Sequence, residues 1–471
     1  MVGILISTSP STGEQVGHWA THITEQVEQA VQDAHAAFTL WRTSGWTQRS
    51  TLLEAVAQGL TALRTDLAAL MTDEMGKPAA EALAEIDKCA WTARFYAEHA
   101  ERFLADRVVE TPAARSWVSH EPIGPVLAVM PWNFPFWQVM RFAVPALATG
   151  HSALLKDAPS VTGCALAVQQ IVRDAAVTLG APQALFTTPL VDEAEVAGVT
   201  ARVIEHPLVV SVTLSGSERA GASVAAVAAR AIKKTVLELG GSDPFVVLDD
   251  ADVALAVLMA VRSRFLNSGQ SCLAAKRFIV AEEFIRRFAD EVAALTVGDP
   301  HDPATQVDPL AREEQVAALQ RQVDASVAAG ATVVTGGKRL QGRGAFLRAH
   351  GTGRCHPGHD RVPGGTFGPV AVVIRAADDN ETARLANDSA FGLGASVWSR
   401  DVGRAMAVGR RITSGALFVN AVIASDARLP FGAPAAAATA VSSPRRASAS
   451  SPKSAPNGSA RALPRSWPNE W

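Results

Sequence analysis

Apolar residues recur at three- and four-residue intervals through the first third of the chain. Val27, Val31, Ala34 and Phe38 fall on one face of a helix predicted over residues 25–41. Residues 49–75 and 79–105 repeat that amphipathic pattern, and Gly76-Lys77-Pro78 breaks the chain between them. From Val126 onward the pattern changes to short apolar runs, at 126–130, 153–155, 209–214 and 245–248. Helical stretches alternate with these runs, which predicts βαβ units and a parallel sheet. The turn Leu214-Ser215-Gly216-Ser217 leads into a helix predicted over 218–231, with a second glycine at Gly221. There is no G-x-G-x-x-G. A strand, a tight glycine turn and a helix N-terminus can still receive a phosphate, although an ordinary strand-to-helix connection has the same form.

Composition narrows the partners. A chain of 471 residues has room for two to three domains. Lys and Arg number 43 against 46 Asp and Glu, so nothing argues for nucleic acid or an anionic membrane as partner. Four cysteines without paired spacing give neither a disulfide framework nor a zinc site. The first six residues are too short for a signal segment, no apolar run reaches the length of a membrane span, and a working thiol needs a reducing compartment. The expected location is the cytoplasm.

Candidate chemistry concentrates in three short motifs. Cys272 ends the stretch Asn267-Ser268-Gly269-Gln270-Ser271-Cys272, where backbone N–H groups can point at a thiol. Glu238 is followed by Leu239-Gly240-Gly241, so its carboxylate can swing toward the same pocket. A thiolate that attacks a carbonyl and a carboxylate that later activates water make a thioester mechanism. Cys89 and Cys164 read instead as buried core thiols. The third motif is Pro131-Trp132-Asn133-Phe134-Pro135, at the end of the first clear strand.

Together these motifs, with 34 positions from Glu238 to Cys272, resemble the aldehyde dehydrogenase superfamily over residues 6–432. Residues 237–244 (LELGGSDP) and 269–280 (GQSCLAAKRFIV) look most like its bacterial NADP-dependent succinate-semialdehyde dehydrogenases. The resemblance implies an α/β fold with a Rossmann-type cofactor domain at 1–106 and 122–240. It also implies an oligomerisation hairpin at 107–121 and a catalytic domain at 241–432. Cys272 would be the nucleophile, Glu238 the base and Asn133 an oxyanion donor, with no metal needed. Lys156 would reach the adenosine ribose. Pro159, followed by Ser160, stands where the family often has a Glu that grips the 2′-hydroxyl. A carboxylate there would repel a 2′-phosphate, so its absence admits NADP, while the nearby Asp157 keeps NAD open. Trp132, Gly216, Ser217, Leu239 and Phe367 complete the expected cofactor contacts. Arg141 resembles a position that holds a substrate's distal carboxylate, and a structural salt bridge is the other reading. Some semialdehyde enzymes carry a second Arg where this chain has Leu266, with Arg264 nearby.

Two segments depart from the family pattern. Residues 347–365 lack periodicity before Thr366-Phe367-Gly368 resumes it, and 433–471 is rich in Ala, Ser, Pro and Arg. Read one base along with suitable codons, parts of both yield family-like peptides, which suggests two frame disturbances. A loop insertion and a disordered tail would look alike. The family's ribose-binding Glu is replaced by Gly365, and the terminal strand that joins subunits is missing. Homo-oligomerisation is therefore expected if that strand is intact. The activity that the resemblance implies is oxidation of an aldehyde, with succinate semialdehyde the expected substrate, to the carboxylic acid with NAD(P) through a cysteine thioester; a catalytically impaired or vestigial relative is the alternative.

Overall fold

The computed structural model describes residues 2–339, 350–353 and 366–432. Most of 347–365, Gly365 included, and the tail 433–471 lie outside them.

The chain opens on an antiparallel pair, β1 (Ile4–Thr8) and β2 (Gln15–Ala20), where the sequence had suggested no element. Leu5 and Ser7 of β1 are buried and their neighbours exposed, a period-two burial that the sequence hides because the exposed Ile4 and Ile6 are apolar and the buried Ser7 is polar. Four helices follow: α1 (Thr24–Trp41), α2 (Trp46–Ala62), α3 (Arg64–Met75) and α4 (Ala79–Leu104). Helix α1 buries Val27, Val31, Ala34 and Phe38, as its spacing predicts. The single helical pattern expected over 49–75 is two helices, because Leu63 leaves helical geometry at ψ 11°. Helix α3 ends on Gly76 at φ +83°, where a Cβ would sit 2.9 Å from the Pro10 ring. The pair β3 (Arg107–Val108) and β4 (Trp117–Val118) then projects Val108 and Trp117 into solvent.

A five-stranded parallel sheet comes next. Its elements are β5 (Val126–Val129), α5 (Trp137–Ala148), β6 (Ala153–Lys156), α6 (Thr162–Thr178), β7 (Phe186–Thr187), α7 (Val196–Glu205), β8 (Ser211–Ser215), α8 (Glu218–Arg230) and β9 (Lys234–Glu238). The spatial order is β7-β6-β5-β8-β9. The chain builds outward from β5 in one direction, then returns to its other side with β8. Ligands of such sheets bind at the carboxyl ends of the strands beside that reversal. Those ends carry Trp132 and Asn133 after β5, Lys156 on β6, Gly216 and Ser217 after β8, and Glu238 on β9.

The second sheet has seven strands in the order β12-β13-β14-β11-β10-β15-β16. It comprises β10 (Pro244–Val247), α9 (Val253–Phe265), β11 (Arg277–Val280), α10 (Glu282–Ala293), α11 (Glu313–Ala328), β12 (Thr332–Thr335), β13 (His350–Gly353), β14 (Val370–Arg375), α12 (Asp379–Asn387), β15 (Gly394–Trp398), α13 (Val402–Gly409) and β16 (Ala416–Val419). Phe245 centres its core, with Phe278 at 5.4 Å and Trp398 at 5.3 Å between ring centroids. Strand β13 lies inside the segment that showed no periodicity, and it pairs in parallel with β14 and antiparallel with β12. No described helix is long and apolar enough to cross a membrane.

Candidate active site

Between α9 and Cys272 the backbone does something unusual. Asn267, Ser268 and Gly269 adopt φ values of 54°, 47° and 71° in succession. Left-handed geometry costs a non-glycine residue about 1–2 kcal/mol, so this arch needs external support. The Asn267 N–H donates to Glu81 Oε2 at 2.7 Å, and its side-chain amide donates to the Asn133 carbonyl at 2.8 Å. Ser268 Oγ donates to the Asp308 carboxylate and accepts the Asp308 N–H at 2.9 Å. Gln270 Oε1 accepts the Ala311 N–H at 3.0 Å. A Cβ on Gly269 would lie 2.5 Å from the Gly368 carbonyl oxygen, so only glycine fits. Asn133 closes the arch from the other sheet, its side-chain amide donating to the Gln270 carbonyl at 2.9 Å. Cys272 and Asn133, far apart in sequence, are thus brought together.

Cys272 is half-buried, packed beside Leu273, Leu393 and Phe431. Removal from water pushes its thiol above the ordinary value; Lys276 and Arg141 pull it down, while Glu238 and Asp243 push it further up. Lys276 lies beneath the loop, donating to the carbonyls of Ser271 at 3.0 Å and Cys272 at 2.9 Å. Burial lowers that ammonium to about 8. Cys89 and Cys164 are fully buried and their thiols are pushed well up by burial, in keeping with core residues. The glycines after Glu238 serve close packing. A Cβ on Gly241 would stand 2.7 Å from the Cys272 carbonyl oxygen, so the end of β9 can lie directly against the nucleophile loop.

Glu238 is buried at the end of β9, and Arg141 Nη2 approaches its Oε1 at 3.9 Å. The Arg141 guanidinium also lies 5.0 Å from the Phe431 ring centre. It lines a cleft with Thr92, Tyr96, Trp137, Ser425 and Asp426. Asp426 is paired with Arg428 at 2.6 Å. The Thr92 hydroxyl is buried in that cleft without a hydrogen-bond partner. Lys88 lies 4.0 Å over the Trp137 ring, and burial lowers its ammonium to about 8. Thr92, Tyr96 and Lys88 escaped the sequence reading. The available signal was a polar series on α4, Glu81, Glu85, Lys88, Thr92 and Tyr96, at helical spacing on a helix buried on more than one side. Arg264 does not reach this cleft. It is fully buried and donates to the carbonyls of Ala275 at 3.1 Å, Thr366 at 3.0 Å and Gly368, clasping the Phe367 segment to α9.

The remaining predicted residues fall into three groups at the carboxyl edge of the first sheet. Lys156 and Pro159 line one cleft with Thr162, Thr188 and Leu190, and burial lowers the Lys156 ammonium. Asp157 lines the same cleft, accepts the Ala158 N–H at 2.8 Å, and burial pushes its carboxyl well up. Ser160 holds β1 through its carbonyl, which accepts from Ser7 Oγ at 2.7 Å. Its own hydroxyl, like that of Thr188, is buried without a partner. In the second group Gly216 donates its N–H to the Glu238 carbonyl at 2.9 Å, and Ser217 caps α8 by accepting the Ala220 N–H at 3.2 Å. Leu239 packs under that helix, where a Cβ on Gly221 would come within 2.5 Å of it. In the third, Trp132 and Phe367 meet edge to face at 5.8 Å. A lysine, two unpartnered hydroxyls and a helix N-terminus on one edge fit a dinucleotide with a phosphate at its adenosine end.

A thiol on a strained loop, a carboxylate against it and this edge define an α/β enzyme of the aldehyde dehydrogenase type. The profile of the Aldehyde dehydrogenase family matches residues 5–434, and the chain belongs to that family. It is 43% identical over 432 residues to the probable NADP-dependent succinate-semialdehyde dehydrogenase of a Synechocystis strain, covering 91% of this chain and 93% of that one. It is 40% identical over 431 residues to the NAD(P)-dependent succinate semialdehyde dehydrogenase of Escherichia coli, covering 91% and 92%. Among solved structures it superposes on succinic semialdehyde dehydrogenase from Streptococcus pyogenes in complex with NADP, at TM-score 0.87 and 32% identity over 93% of this chain and 95% of that one.

Proposed function

We propose that the protein oxidises succinate semialdehyde to succinate with NADP, NAD serving as a second cofactor. The observation that carries the substrate is Arg141, which lines a cleft beside Cys272 and is set against Glu238 at 3.9 Å. A guanidinium at that place suits a distal carboxylate, and the Thr92 hydroxyl beside it lacks a protein partner. The names of the relatives agree. They favour oxidation and lend nothing to an impaired or vestigial protein.

Cys272, as thiolate, adds to the aldehyde carbon. Asn133 gives one amide hydrogen to the Gln270 carbonyl, and its second would serve the oxyanion that forms. Lys276 and Arg141 favour the thiolate, while Glu238 opposes it until a substrate or cofactor changes the surroundings. NADP, when bound, would supply the acceptor for the hydride of the substrate carbon. Lys156, Ser160, Gly216, Ser217 and Leu239 would hold it, Pro159 would leave a 2′-phosphate unopposed, and Trp132 and Phe367 would offer apolar packing to it. Glu238 then takes a proton from the water that attacks the Cys272 thioester, releasing the acid and the thiolate.

A reduced thiol suits the cytoplasm, and the exposed β3–β4 pair suits assembly with further copies of the chain. The test is a comparison of succinate semialdehyde with butanal, each with NADP and NAD. Expected is a kcat/KM at least about 100-fold higher for the carboxylate substrate, the worth of one charge-assisted bidentate contact. Equal values for the two aldehydes would remove the substrate assignment.

A further inference from the structure

Three charged side chains near the start of α4, Lys77 and Glu85 buried and Glu81 half-buried, take no part in the chemistry above. Glu85 Oε1 accepts the N–H groups of Phe136 at 3.0 Å and Trp137 at 2.8 Å. Those residues open α5, the helix that carries Arg141 and follows Asn133 by a few positions. Glu81, one turn earlier on the same face of α4, accepts the N–H of Asn267 at 2.7 Å. Asn267 is the first left-handed residue of the arch that delivers Cys272. Lys77, just ahead of α4, donates to the other oxygen of Glu85, and its ammonium lies 3.9 Å from the centre of the Phe134 ring.

From this geometry we propose that Glu81 and Glu85 are positioning residues, through which α4 sets the Cys272 loop against the Asn133 strand end. Two carboxylates four residues apart on a helix are separated by about 6 Å of rise, a fixed distance that neither loop could supply itself. Both loops need such help. The Asn267 amide belongs to no regular ladder in its left-handed conformation, and a buried N–H without an acceptor is costly. The acceptor therefore does two things at once: it satisfies the amide and it fixes where the arch begins. Lys77 pairs with the buried Glu85 and offsets its charge. The proposal rests on Cys272 being the nucleophile. It goes beyond that reading, because neither Glu81 nor Lys77 touches a reacting atom.

The test compares Glu81→Leu, Glu81→Gln and Glu81→Asp in the full-length enzyme. Readouts are kcat, NADP affinity by fluorescence, the rate of Cys272 alkylation by iodoacetamide, and thermal midpoint. Loss of the acceptor should lower kcat roughly 10- to 100-fold, the usual consequence of a reacting group displaced by about an ångström. It should change the alkylation rate, with NADP affinity within about twofold. Glu81→Gln keeps an acceptor at the same reach and should restore most of kcat. Glu81→Asp keeps the charge but withdraws it by one methylene, and should remain impaired if Glu81→Leu does not fold. A lowered midpoint with unchanged kcat and alkylation in the Leu and Asp variants would overturn the proposal, leaving Glu81 merely structural. Glu81→Gln as impaired as Glu81→Leu would also overturn it, since charge rather than the hydrogen bond would then matter. Cys272→Ala is the control: if it retains turnover, the nucleophile reading fails whatever Glu81 does.

Discussion

The loop that carries Cys272 and the edge that faces the cofactor are built on opposite plans. The loop is held by protein groups: Glu81, Asn133, Asp308 and Ala311 each hold one of its residues, and the buried atoms left over there are single oxygens of side chains already bonded, Asn267, Asn133 and Asp308. The cofactor edge leaves hydroxyls of Ser160 and Thr188 buried and unpartnered. A reacting group has to be in place before substrate arrives, so its supporting bonds are made inside the protein. A binding edge keeps capacity for bonds that only its ligand completes. If this contrast is right, damage in the two regions should look different in kinetics.

The largest effect should come from the loop. Cys272→Ala removes the bond-forming atom, so turnover should fall by at least roughly 10⁴-fold while NADP binding persists. Turnover within tenfold of the parent would sink the assignment. Glu238→Gln should come next, with steady-state turnover down by about 10²-fold or more. One equivalent of reduced cofactor should appear quickly, then turnover should stall at the thioester. The same variant gives a test with a definite sign. Burial and the Glu238 charge both raise the Cys272 thiol above its ordinary value, so alkylation should keep rising with pH through and beyond pH 9. Removing the Glu238 charge lowers that thiol, and alkylation at pH 7.5 should become faster. Slower alkylation would mean that Glu238 serves as the base for the thiol.

The contrast also explains what could be read in advance. Cys272, Glu238 and Asn133 stand in contiguous motifs whose small neighbours exist for close packing, as Gly241 and Gly269 demonstrate. The βαβ alternation was equally plain, because parallel strands are buried on both faces and appear as unbroken apolar runs. Glu81, Glu85, Thr92 and Tyr96 were invisible for the opposite reason. A polar series on a long helix looks like a solvent face until α5 and the Cys272 loop are packed on it. Strand β13, His-Gly-Thr-Gly, has no apolar pattern at all and is held by backbone pairing to β14. The break at Leu63 falls on an ordinary helix former, so nothing at that position marks it in the sequence.

An intermediate effect should come from the cofactor edge. Pro159 lines the cleft with Lys156 and with Asp157, whose carboxyl accepts the Ala158 N–H. Pro159→Glu would add a carboxylate where a 2′-phosphate is proposed to lie. Like charges a few ångströms apart near a surface repel by about 1–3 kcal/mol after screening. The KM for NADP should rise about 10- to 100-fold, with the KM for NAD unchanged or lower and kcat nearly constant. An unchanged NADP-to-NAD ratio would place the phosphate elsewhere.

The smallest effect separates useful strain from idle strain. Asn267 and Ile232 are both left-handed, at φ 54° and 55°. Asn267 is fully buried and its side chain spans two carbonyls, of Asn133 and Gln270. Ile232 is 93% exposed between α8 and β9, so its side chain gains little from burial. A β-branched residue in that conformation costs about 1–2 kcal/mol, whereas asparagine tolerates it. Ile232→Asn should therefore stabilise the protein by about 1 kcal/mol, seen as a thermal midpoint one or two degrees higher in a chain of this size. Activity should not change. Asn267→Gly relieves the same kind of strain yet loses both side-chain bonds, so it should lower stability and kcat together. The pair of variants measured side by side decides the matter. If both stabilise, the arch at 267 is not held by its side chain, and the difference drawn between the two regions fails at its strongest point.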